Sequence, residues 1–160
     1  MDYDALPRNA DERTTLDAFL DWQRSVLSRK CQGLSDDELR DRTAPPSNLS
    51  LLGLVRHMAN VERGWFRRTI AGETVADVYD GDSDFDMTHG DSTSAILRWQ
   101  EECERSRDIA ATRPLDFTGR HKSGQEVSLR WVMVHMIEEY SRHNGHADLL
   151  RERIDGAVGY

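Results

Sequence analysis

Four long stretches of this chain carry apolar residues at helical spacing, and prolines or glycines separate them. No comparable stretch alternates apolar and polar residues as a half-buried strand does. The pattern predicts an all-α chain, a four-helix bundle with long connections. The first stretch, 10–30, places Leu16, Phe19, Leu20, Val26 and Leu27 on one face before Gly33 stops it. Ser35 followed by acids at 36–38 predicts a brief connector helix. After Pro45-Pro46 the second helix is expected from Ser47 or Ser50 to Ala71, ended by Gly72, with a stripe of Leu51, Leu54, Met58, Val61 and Trp65. The third is expected over 92–112, presenting Ile96, Leu97, Trp99, Cys103 and Ile109, with Pro114 closing it. Two glycines bracketing the polar tip of 117–127 suit a small hairpin or an extended loop. Ser128 can then cap a last helix that runs to Ile154.

At 160 residues the chain is read as one domain, 1–160, long enough to bury about two-thirds of its unfolded surface around a core. Its opening lacks the basic and apolar regions of a secretory signal, and no apolar run approaches the roughly 18 residues of a membrane span. The expected location is the cytoplasm. Cys31 and Cys103 form no Cys-x-x-Cys pair, which argues against a thiolate zinc site or a disulfide framework. With 29 acids against 21 bases the net charge is −8, so a nucleic acid or an anionic membrane is not expected as a partner. Arg67-Arg68 and Arg120-His121-Lys122 are too short to alter that and read as a solvated helix end and loop. The acidic run 77–86 lacks the glycine and glutamate positions of an EF-hand and reads as a solvated loop, with a lid role left open.

Chemistry is concentrated on the last helix. Advancing about 100° per residue from His135, an apolar arc from about −40° to +140° contains Leu129, Trp131, Val132, Met136, Tyr140, Ala147, Leu149, Leu150 and Ile154. Glu139 falls near +40° and His143 near +80°, inside that arc. A carboxylate there needs compensation, and a bound cation supplies it. Four residues apart, the two side chains leave adjacent turns toward one point. The second helix offers one histidine, His57, about 40° from Val61 and 60° from Leu54, as a third ligand. Two imidazoles and a carboxylate leave a position open for water or substrate; zinc is the first expectation, and nickel, iron and manganese accept the same donors.

Other assignments compete with this one. An inward histidine taken singly is more often hydrogen-bonded than metal-bound, and Glu139 has Arg142 and His135 within reach as partners. His143 and His146, three apart, form a rival ligand pair. His146 is otherwise expected behind the ligands or at the substrate, and His135 in a structural hydrogen bond. His89 and His121 sit in expected loops without an assigned role.

The stretch Leu-Val-Arg-His57-Met-Ala-Asn-Val-Glu-Arg-Gly-Trp-Phe and the stretch Leu-Arg-Trp-Val-Met-Val-His135-Met-Ile-Glu-Glu139-Tyr-Ser-Arg-His143-Asn-Gly-His146 resemble the DinB-like superfamily of metal-binding four-helix bundles. That superfamily also contains thiol-dependent S-transferases and mycothiol-dependent maleylpyruvate isomerases, and the resemblance covers nearly the whole chain. Its usual triad, a histidine on the second helix and an i,i+4 pair on the last, falls on His57, Glu139 and His143. Many members carry histidine at the Glu139 position; the His, Glu, His set resembles the maleylpyruvate isomerase branch. The His146 position often carries glutamine in relatives. The resemblance implies a low-molecular-weight thiol, such as mycothiol, held as thiolate at the open metal position to attack a small electrophile. It also implies a homodimer through helix faces. A non-catalytic metal- or ligand-binding stress-response bundle is the alternative, with His146 as a fourth ligand closing the site.

Overall fold

The computed structural model of the chain describes residues 3–80, 85 and 91–159. It contains α1 (Glu12–Cys31), α2 (Asp36–Arg40), α3 (Leu51–Glu62), α4 (Ser92–Ala111) and α5 (Leu129–Asp155). A π-helical segment, Arg63–Ile70, continues α3. The strands β1 (Thr118–Arg120) and β2 (Glu126–Ser128) pair antiparallel, with Gly119 opposite Val127. The class is all-α, and the helical complement fits a bundle. Among the described residues, no helix is long and apolar enough to cross a membrane. The chain divides into two compact units, Met1–Leu51 with Met133–Tyr160, and Leu52–Val132.

In the first unit, α1 starts at Glu12 rather than at 10 because Asp11 is its cap: its carboxylate accepts from the Thr14 backbone N–H at 3.0 Å and from the Thr14 hydroxyl at 2.7 Å. Those bonds hold the Asp11 carboxyl below its ordinary value. The connector appears as α2, closed by a capping box in which Glu38 reaches back to the Ser35 N–H at 2.8 Å. Leu20, Val26 and Leu27 are buried as their spacing predicts, while Leu16 and Phe19 are only half-buried.

A polar seam joins α1 to α5. The Asn144 amide donates to the Gln23 carbonyl at 3.0 Å and to its side-chain oxygen at 2.7 Å, and Gln23 donates to the Ser141 hydroxyl at 2.6 Å. Farther along, Lys30 meets Asp148 at 2.6 Å, and Arg151 donates to the carbonyls of Lys30 and Gln32. Ser141, Asn144, Asp148 and Arg151 fall between about 160° and −120° on the rotation used above. The buried apolar residues of α5 border this seam: Leu129, Val132, Met133, Met136, Tyr140, Ala147 and Leu150. Trp131 and Leu149, expected inside, are 47% and 61% exposed. Both lie near −40°, so the buried face is centred closer to +120° than the apolar arc suggested.

In the second unit, Leu54 and Met58 of α3 are buried, and Val61 and Trp65 are half-buried. The uninterrupted α-helix expected to Ala71 is not observed. Beyond Glu62 the coil widens: the Ala71 N–H donates to the Phe66 carbonyl at 2.9 Å and the Thr69 hydroxyl to the Gly64 carbonyl at 3.0 Å, both five residues back. Glu62, fully buried at the junction, accepts from the Cys103 thiol of α4 at 3.6 Å. Arg63 and Arg67 converge on the buried Glu102 of α4 at 2.5 and 3.1 Å. Helix α4 buries Trp99, Cys103 and Ile109, whereas Leu97, expected on that stripe, is 53% exposed.

The hairpin lies against the π segment. A Cβ on Gly119 would sit 2.1 Å from the Thr69 carbonyl oxygen, so only glycine permits this approach. Gly119→Ala should therefore cost about 1–3 kcal/mol, read as a fall of several degrees in melting temperature; an unchanged melting temperature would contradict the tight contact.

Candidate metal-binding residues and a basic cavity

Glu139 sits between two imidazoles, each one turn away on α5. Its Oε2 is 3.5 Å from His143 Nε2, and its Oε1 is 3.6 Å from His135 Nε2. These spacings exceed those of a good hydrogen bond. Donors bound at about 2.0–2.2 Å around a tetrahedral ion stand about 3.4 Å apart, so the Glu139–His143 pair has the spacing of two neighbouring ligands. The side chains are 22% and 12% exposed, at the rim of the buried face, where solvent reaches the carboxylate. Arg142 pairs with Glu138, one position away from Glu139.

The other nitrogen of His143 is also engaged: its Nδ1 lies 3.4 Å from His146 Nδ1. One of these two nitrogens carries the proton and the other accepts it, which fixes the His143 ring and leaves its Nε2 toward Glu139. This is the outer-layer arrangement that orients a metal-binding imidazole. His135 has a second acid neighbour, Glu138 Oε2 at 3.7 Å from its Nδ1. His135, Glu138 and Glu139 each offer one ligand atom within 4.8 Å of the others, a second candidate grouping that spacing alone did not single out.

His57 belongs to the second unit, while Glu139 and His143 belong to the first. It is half-buried on α3 and stacks on Phe85 at 5.7 Å between ring centres, with 27° between the planes. Its ring forms part of the wall of a cavity of about 640 Å³ within the second unit, shared with Trp65, Arg68, Arg120, His121 and Lys122. Arg120 and Lys122 are exposed, as a solvated loop requires, and the hairpin carries them, with the half-buried His121, to the edge of this wall. Trp65 stacks on His121 at 4.9 Å and 15°, and leans on Trp131 at 5.3 Å. Asn60, which sequence reasoning passed over, pins the loop beside the cavity by accepting from the N–H groups of Val78 and Tyr79 and donating to the Tyr79 carbonyl. Positions 81–84 and 86 of the acidic run, together with His89, lie outside the described residues.

A family model described as mycothiol-S-transferase matches residues 15–156. Among curated proteins and among solved structures, none matches the chain. The matched span takes in α3 with His57 and the whole of α5 with Glu139, His143 and His146, and the chain belongs to the mycothiol-S-transferase family, within the DinB-like superfamily.

Proposed function

We propose that the protein is a metal-dependent transferase that works with a low-molecular-weight thiol of the mycothiol kind, and that His57, Glu139 and His143 hold the divalent cation. The observation that carries this reading is the Glu139–His143 pair at ligand spacing, with the far nitrogen of His143 tied to His146. Family membership supports the thiol. Such a cation, zinc first among the candidates, lowers the pKa of a thiol bound to it.

The protein's own groups then have distinct tasks. Glu139 supplies the negative charge that makes a two-imidazole set attractive to a dication. His146 keeps the His143 ring in one tautomer and one orientation. Because it meets Nδ1 of His143 rather than Nε2, it stands behind that ligand, which favours an open position over a closed four-ligand site. We place the protein in the cytoplasm, where small thiols are kept reduced.

The attacking thiol must come from outside the chain. Burial pushes the Cys31 thiol up to about 12, and Cys103 is also buried with its S–H directed at Glu62. Cys31 therefore offers no thiolate near neutral pH, and Cys103 is shielded from solvent.

Two measurements follow. Elemental analysis of protein purified without an affinity tag should find about one divalent ion per chain, lost in His57→Ala, Glu139→Ala and His143→Ala but kept in His135→Ala. His146→Ala should retain the ion with an affinity about 10–100-fold lower. Metal-free wild type, or full metal content in His57→Ala, would overturn the ligand set; metal-loaded protein that does not accelerate loss of mycothiol, bacillithiol or glutathione to an aryl halide would overturn the transferase. Separately, Ellman's reagent should react with neither cysteine of the native protein at pH 8 and with both after denaturation. The raised Cys31 pKa also sets a sign: stability is intact below the ordinary thiol value of 9.0 and weakens as pH climbs from there toward about 12.

A further inference from the structure

Among its described lining residues, the cavity beside His57 carries three cations, Arg68, Arg120 and Lys122, against two acids, Glu73 and Asp77. Of its acids, Asp77 is matched by Arg68 and Glu73 by Arg67, the latter at 2.7 Å. Among the described residues, Arg120 and Lys122 form no ion pair, and Glu126, opposite Arg120 in the hairpin register, does not engage it. Between them the Nδ1 of His121 lies 2.9 Å from the Ser123 hydroxyl and 3.3 Å from its backbone N, so this nitrogen is engaged within the hairpin. In a chain of net charge −8, a cavity edged by two cations that form no ion pair among the described residues is a place where a small anion can be drawn in.

The same cavity has a flat apolar wall, the Trp65 ring stacked on His121. The backbone that carries its exposed cations is held in place: the bare Cα of Gly119 presses β1 onto Thr69 and Ile70, and Arg120 is the next residue. The tip is closed by the His121 N–H donating to the Gln125 carbonyl at 2.9 Å and the Gly124 N–H to the His121 carbonyl at 2.8 Å. Two or three cations are too few for a polyanion. They suit one carboxylate, which the planar guanidinium of Arg120 can grip with two parallel bonds while Lys122 adds a point charge.

We propose that this cavity binds a small organic acid, with its carboxylate on Arg120 and Lys122 and its flat body on the Trp65–His121 stack. The binding stands by itself; that the acid is the electrophile taken by the thiol rests on the transferase reading above.

Titrating metal-loaded protein with naphthoate and with its neutral counterpart naphthamide, followed by calorimetry, separates the two claims. Naphthoate should bind wild type at least about tenfold more tightly, equivalent to about 1.4 kcal/mol, and added salt should shrink the difference. In the double variant Arg120→Gln/Lys122→Gln, with metal content and circular dichroism unchanged, the two probes should bind within about twofold of each other. Trp65→Leu should weaken both probes alike. Equal binding of the probes to wild type would overturn the proposal, as would a carboxylate preference that survives in the double variant, since the anion would then be held elsewhere. Undiminished binding to Trp65→Leu would remove the aromatic wall from it. Absence of metal from wild type would defeat the transferase reading and leave the probe comparison intact.

Discussion

The rotation of α5 about its own axis decides where Glu139 and His143 stand, and the polar seam with α1 sets that rotation. An apolar face tolerates small turns of a helix, because neighbouring methyl groups can exchange contacts. The Asn144–Gln23 pair does not, since a buried amide left unsatisfied costs about 1–3 kcal/mol. Lys30–Asp148 and the Arg151 contacts to two carbonyls repeat the constraint along the helix. With the seam near 180°, Glu139 and His143 come to the rim of the buried face, largely but not wholly shielded from water.

The second unit rests on a different device. The step from α-helix to π-helix after Glu62 re-aims every side chain downstream, because five residues per closed turn replace four. Arg63 and Arg67 consequently share one oxygen of Glu102, Oε1, so that two guanidiniums compensate the buried charge. Thr69 is thereby presented to Gly119, and the hairpin tip with its cations follows from that contact. Irregular π turns are frequent at functional sites, and this one borders the cavity.

Much of the fold was legible because it is local. Caps at Ser35 and Ser128 and the stop at Gly72 are written in short stretches of sequence and the structure has them, while the stretch with two glycines resolves into a hairpin rather than an extended loop. The closeness of Glu139 to His143 follows from helical spacing alone. What was not legible depends on contacts between distant segments. The exposure of Trp131 and Leu149 reflects a seam whose partners on α1, Gln23 and Lys30, lie far away in sequence. The buried Glu62 and the π step need α4 as a neighbour to be understood. His121 looked like a loop bystander because its stacking partner, Trp65, is far away in sequence.

The central claim is that one cation is shared by His57, Glu139 and His143. Anomalous X-ray diffraction at the absorption edge of the bound metal, on crystals of the metal-loaded protein, tests it most directly. The account predicts a single peak about 2.0–2.2 Å from a nitrogen of His57, a nitrogen of His143 and an oxygen of Glu139. A peak held by His135, Glu138 and Glu139, with His57 outside the coordination sphere, would contradict it.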